Sequence, residues 1–166
     1  QQSAAAAAVR RLDQCTGCNA ALQELELLDA QNLTFALGPN AINVAMRQCE
    51  GDLTTAEALF SRLAEVNLAN NCASFEIIAT VRLQHGALEA AAAAAAAGLE
   101  CVPQASRVSV KLARTTRRVL DACSAARLPA SAARERWRLL DQRGLMPPGF
   151  HFRGGTGMSA SAGSQA

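Results

Sequence analysis

At 166 residues the chain is long enough for one domain with an ordinary buried core. Half of it is apolar, yet alanine supplies much of that and aromatics only 4%, so with β-branched residues sparse the expected class is all-α. The net charge of +2 hides an asymmetry: residues 1–104 carry five basic and eleven acidic side chains, residues 105–166 eleven basic and three acidic. A basic end on an otherwise acidic chain points to a polyanionic partner, nucleic acid first. No apolar run reaches the roughly 18 to 20 residues that cross a bilayer, so no membrane span is expected. The first residue is Gln1 rather than Met, which reads as a processed form or a piece of a longer chain.

The spacing predicts a first helix over Ser3–Cys15, with alanines inward and Arg10 and Arg11 outward, and a turn at Thr16–Cys18 that uses Gly17. Asn19 would cap a second helix, Ala20–Gln31, on the stripe Ala21, Leu25 and Leu28, with Asn32 and Leu33 closing it. Thr34–Pro39 reads as a connection to a third helix, about Asn40–Cys49. Gly51 then turns the chain into a helix whose stripe is Leu53, Ala56, Phe60, Leu63 and Val66, capped by Asp52 and ended at Asn67.

Residues 72–86 read as the next helix, from the helical spacing of Phe75 and Ile78, with Ser74 as a cap. Leu88 to about Ala97 follows and includes eight consecutive alanines, read as a helix whose small side chains allow close approach. Pro103 ends that unit. A long helix is expected over about Ser106–Ala125, then a last one with Pro129 in its first turn, the stripe Ala133, Trp137 and Leu140, and Gly144 as its stop. Beyond Pro148, residues 149–166 form a Gly/Ser/Ala-rich tail with the composition of a flexible linker.

Three of these helices echo one pattern at steps of thirty-five residues. Stepping back by that distance from Ala56, Phe60, Leu63, Asn67 and Leu68 reaches Ala21, Leu25, Leu28, Asn32 and Leu33. A forward step carries Gly51, Leu53, Ala56 and Phe60 to Gly86, Leu88, Ala91 and Ala95. A fixed period of this length is the mark of a repeat protein. The expected architecture is therefore an α-solenoid of about four helix-turn-helix repeats over residues 1–148, with approximate bounds 3–37, 38–71, 72–104 and 105–148. The fourth unit is out of step, with Ala133 forty-two residues after Ala91; the excess is assigned to its first helix.

The segments NAINVAMRQCEGDLTTAEALFSRLAEVNLANN, SFEIIATVRLQHGALEAAAAAAAAGLECVPQ and RRVLDACSAARLPASAARERWRLLDQRGLMPP, with a weaker VRRLDQCTGCNAALQELELLDAQNL, resemble the pentatricopeptide repeat. The tetratricopeptide repeat, a protein-binding array, is the competing resemblance. The first resemblance implies a non-catalytic α-solenoid of an organelle, a mitochondrion or alternatively a plastid, that contacts single-stranded RNA. It also implies base reading by two side chains per repeat. Those would be Glu76 with Gln104, Asn40 or Ala41 with Asn71, and Arg117 with Pro148; only the Asn pairing resembles a base-reading pair. With so few units and so poor a code, the implied role is structural: an RNA-contacting component of an organellar ribonucleoprotein, the mitochondrial ribosome first, set among neighbouring proteins. A separate factor for RNA processing, stability or translation, and a protein-binding adaptor, are the alternatives.

The strongest polar constellation is Arg107, Lys111, Arg114 and Arg118, whose steps of four, three and four place four cations on one helical face. Val108, Leu112, Val119 and Cys123 line a different face. Cations so spaced can follow a phosphate backbone, each contact strengthening binding in a salt-dependent way. Arg adds a planar fork that suits phosphate. Arg117, Arg134, Arg138, Arg143 and Arg153 extend the expected RNA surface; the alternative is a solvated face, or a patch for an acidic protein. Cys15, Cys49 and Cys123 sit late in the first helices of their units, where a small buried thiol in a reducing compartment is the simplest reading. Cys15 and Cys18 make one CxxC without a second pair at metal-ligand spacing. Neither His85 nor His151 has a nucleophile or carboxylate at a catalytic spacing. No enzyme, metal or cofactor is expected.

Overall fold

A computed structural model describes residues 4–65 and 71–151, apart from the side chains at positions 5 and 35. The described residues are helical throughout: α1 (Ala4–Gln14), α2 (Cys18–Ala30), α3 (Leu33–Leu37), α4 (Pro39–Gln48), α5 (Leu53–Arg62) continued by a 3₁₀ turn (Leu63–Glu65), α6 (Cys72–Gln84), α7 (Leu88–Glu100), α8 (Val110–Ala125) and α9 (Ser131–Gln142). No strand occurs among them, in keeping with the all-α class read from composition. The expected helix end at Val66 and Asn67, the tail beyond His151 and Arg153 lie outside the described residues.

Neighbouring helices pack as hairpins, α1 on α2, α4 on α5, α6 on α7 and α8 on α9. A second set of contacts joins α1 to α4, α4 to α6 and α6 to α8, while α7 packs on α9. Every substantial helix contact among the described residues thus links elements close in chain order. The buried side chains fall into four clusters. One joins α1, α2, α4 and α5 around Leu12, Leu25, Leu28, Met46 and Leu63. The next two centre on Ile78 with Ala56, and on Val119 with Ala91. The last holds Leu99, Leu112, Trp137 and Leu140.

Three side-chain hydrogen bonds join residues separated by 35 positions: Thr80 with Thr115, His85 with the Glu50 carbonyl, and Cys123 with the Leu88 carbonyl.

Local chemistry explains some of these elements. Asp52 caps α5 as expected: its carboxylate accepts from the Thr55 backbone N–H at 3.1 Å and from the Thr55 hydroxyl at 2.7 Å. The alanine run is a helix, with Ala91, Ala92, Ala94, Ala95 and Ala96 buried. Gly98 continues its close approach, since a Cβ there would stand 3.0 Å from Leu112 Cδ1 and 3.2 Å from Phe75 Cβ.

Other boundaries differ from the sequence reading. The Thr34–Pro39 connection contains the short helix α3, whose Thr34 hydroxyl donates to the Asp29 carboxylate at 2.5 Å. The second helix starts at Cys18 behind Gly17, with no side-chain cap from Asn19. Ser74 is not a cap but a buried residue of α6, where its hydroxyl donates to Asn43 Oδ1. The long helix begins at Val110, not Ser106: Ser109 caps it by accepting from Leu112 N–H, and the chain before it is extended because Val108 N–H is bonded to the Leu145 carbonyl. The extra residues of the fourth unit therefore lie largely in a connection. Pro129 precedes α9 rather than entering it, and Ala130 makes the turn with φ of 43°. Ala133, Trp137 and Leu140 are its buried stripe, and Gly144 follows with φ of 69°.

Cys18 and Cys49 are joined in a disulfide. This corrects the reading of Cys49 as a buried thiol and removes the support it lent to a reducing compartment. The reason was hidden in topology: packing α2 on α4 brings the first residue of one against the C-cap of the other.

Candidate nucleic-acid interface

Helices α4, α6 and α8 together line a groove of about 280 Å³. Its cations are Arg47 from α4 and Lys111, Arg114 and Arg118 from α8. The steps of three and four on α8 carry its three cations to one face, which is what the helical period requires. All four cations are exposed, and none forms an ion pair with a described side chain. That separates them from Arg11, Arg62, Arg82 and Arg138, which are held by Glu24, Asp29, Glu57 and Glu135.

The floor of the groove is polar and organised around Glu76. Its Oε1 accepts from the Thr115 hydroxyl at 2.8 Å and from the Thr80 hydroxyl at 3.2 Å, and the two hydroxyls are 3.3 Å apart. Ile77 and Val81 supply apolar wall, and Glu50 a second carboxylate. Four cations against two carboxylates leave the groove electropositive, with open donors spread along one helix face. Such a surface can bind a chain of phosphates.

The other sequence candidates are placed elsewhere. Arg107 is exposed but precedes the α8 cap, so it is not part of the helical stripe. Arg117 is half-buried. Its guanidinium lies 4.5 Å over the Phe150 ring and 5.8 Å from the Trp137 ring, and it donates to the Gly149 carbonyl at 3.0 Å. It fastens the chain after α9 rather than facing a ligand. Arg134 donates to the Pro129 and Leu120 carbonyls and to Ser124, closing the α8–α9 connection. Arg138 is paired with Glu135. Arg143 is exposed beyond α9.

Asn40 is exposed in the first turn of α4, whereas Asn71 is 6% exposed and accepts from Asn43 Nδ2 at 3.5 Å. The two asparagines are not presented together. Glu76, the other proposed base reader, is already bonded to two threonines. Arg47 was missed because it lies alone on a helix of the acidic half; only packing carries it to the α8 cations.

The two cysteines of CTGC have different fates. Cys18 is bonded to Cys49, and Cys15 Sγ donates to the Arg11 carbonyl, its thiol pushed up by burial and by nearby Glu24. Among the described residues no group of three or more His, Cys, Asp or Glu is placed to hold a metal ion, and no helix is long and apolar enough to cross a membrane.

Comparison with protein-family models, with curated proteins and with solved structures finds no match to this chain.

Proposed function

We propose that the chain is a short α-solenoid of the pentatricopeptide type that binds RNA through its phosphate backbone and acts without catalysis. The observation that carries this reading is the groove in which Arg47, Lys111, Arg114 and Arg118 converge without acidic partners of their own. The hydrogen bonds spanning 35 positions support the repeat part of it. In a stacked array, residues one period apart lie side by side, as Thr80 and Thr115 do. Core clusters drawn from helices close in chain order agree with units that bury their apolar faces against neighbours.

The RNA is held by charge, with its bases left largely unread. Asn71 is buried and Glu76 is occupied, so two of the side chains implied as readers are not on offer. A backbone clamp of this kind suits a structural component of an organellar ribonucleoprotein. We place it first in the mitochondrial ribosome, where ribosomal RNA lies over α8 and neighbouring proteins pack on the rest.

The test is RNA binding by the full chain as a function of salt. Each phosphate contact contributes about 0.7 to the slope of log affinity against log salt for a single strand. Replacing Arg47, Lys111, Arg114 and Arg118 together with alanine is expected to abolish most of that slope while helicity is kept. Unchanged affinity in the quadruple variant would remove the groove from the proposal. Co-sedimentation with ribosomal subunits at moderate salt tests the assembly; migration only as a small particle argues for a separate RNA factor.

A further inference from the structure

Two more cysteines stand in the relation that has already produced a disulfide elsewhere in the chain. Cys18 opens α2 and Cys49 is the C-cap of α4, the helix packed against it. Cys72 opens α6 and Cys101 is the C-cap of α7. Both helices have 13 residues, and they pack together through the short turn at His85–Ala87. An antiparallel hairpin of equal arms returns the end of the second helix to the start of the first. The packing agrees, because Cys72 lies against the same apolar cluster as Val102, the residue after Cys101. Both side chains are partly exposed, so a small disulfide can reach them.

We propose that Cys72 and Cys101 are a dithiol site that a low-molecular-weight disulfide such as oxidised glutathione converts to an intramolecular bridge. One protein thiolate attacks the glutathione disulfide, forming a mixed disulfide and releasing one glutathione, which takes up the proton that the protein thiol lost. The second protein thiol then displaces the other glutathione in the same way. Two thiols are oxidised, one glutathione disulfide is reduced, and two glutathiones leave. The bridge fastens the start of α6 to the end of α7, as Cys18–Cys49 fastens α2 to α4. Each thiol is pushed up, chiefly by burial, and for Cys72 also by the neighbouring Cys101, so the pair reacts as a modifiable site rather than a fast nucleophile.

The experiment exposes the full chain to oxidised glutathione well below its unfolding temperature, then alkylates and digests it with trypsin without reduction. Residues 63–82 and 83–107 fall on separate tryptic peptides, so the bridge appears as a covalent link between them. The expected result is that link, with Cys72 and Cys101 lost from alkylation together, and with the same link in the Cys123→Ser variant. In Cys72→Ser the link must vanish and Cys101 must remain as a glutathione adduct. Separate adducts on both residues, bonding of either to Cys15 or Cys123, or a link that forms only in urea would each overturn the proposal.

Discussion

The Glu76 carboxylate and the Thr115 hydroxyl meet at 2.8 Å across the α6–α8 contact, beneath the cations of the groove. The carboxylate fixes two hydroxyls but opposes an incoming phosphate. Glu76→Gln keeps an acceptor for them and removes the charge, so it should raise RNA affinity roughly a few-fold at low salt, the gain shrinking as salt screens it. Glu76→Ala strands the hydroxyls instead and should lower stability by about 1 kcal/mol. Filter binding and denaturant unfolding of the two variants separate these effects; a drop in affinity for the glutamine variant would place Glu76 on the ligand.

Arg117 divides architecture from ligand contact within one helix. Its stacking over Phe150 and Trp137 and its bond to Gly149 hold the chain after α9. Arg117→Ala should cost roughly 1.5 to 3.5 kcal/mol, from about 0.5–1 kcal/mol for each of two cation–π contacts plus about 0.5–1.5 kcal/mol for one hydrogen bond. Limited proteolysis after residue 143 should quicken, while the salt slope of RNA binding stays as in the parent. A reduced slope would return Arg117 to the RNA surface.

Gly98 is where α7 comes closest to its neighbours. Phe75 Cβ, 3.2 Å from the missing Cβ, sits at the root of its side chain and cannot swing away. Overpacking costs about 1–3 kcal/mol, against about 1 kcal/mol that alanine gains over glycine in a helix. Gly98→Ala should therefore lower the melting temperature, although the same change in an exposed helix would raise it. Calorimetry decides the sign.

Breaking the Cys18–Cys49 bridge releases a loop with a sequence separation of 31. For a loop of that length the chain-entropy estimate is about 3 to 4 kcal/mol, so Cys18→Ser with Cys49→Ser should unfold at clearly lower denaturant. The bridge also bears on location, since disulfides persist where the thiol pool is oxidising. Trapping the thiols of the assembled protein with an alkylating agent reads this directly: bridged cysteines point to such a compartment, alkylated ones to a reducing one.

Acid should weaken the fold through two side chains whose carboxyls lie below the usual range. Glu57 is lowered chiefly by its hydrogen bonds from Arg82, and Asp52 chiefly by the Thr55 hydroxyl and then the Thr55 backbone N–H. Because the folded values are the lower ones, this stability is full above the unfolded carboxylate value of about 4 and is lost as pH falls through the folded values. Denaturant midpoints measured from neutral pH downward should show that decline, and Glu57→Gln should flatten it.

Composition and local spacing were enough to establish helices at nearly every position where they occur, because alanine content, the Asp52 cap and period-3.6 stripes are properties of a few adjacent residues. They also revealed the thirty-five-residue period and a cationic face expected from Arg107, Lys111, Arg114 and Arg118, of which the last three lie on α8. What required the folded chain was every relation between distant segments: Arg47 beside Lys111, Cys18 bonded to Cys49, Arg117 drawn onto Phe150, and Asn71 buried against Asn43. A side chain's helical face follows from its spacing, but its neighbour across a helix contact depends on how two stripes meet. The start of α8 shows the same division, since Ser109 is a local cap but the stretch before it, Ser106–Val108, has no local feature that forbids a helix. It is held extended by the Leu145 carbonyl, thirty-seven residues downstream of Val108.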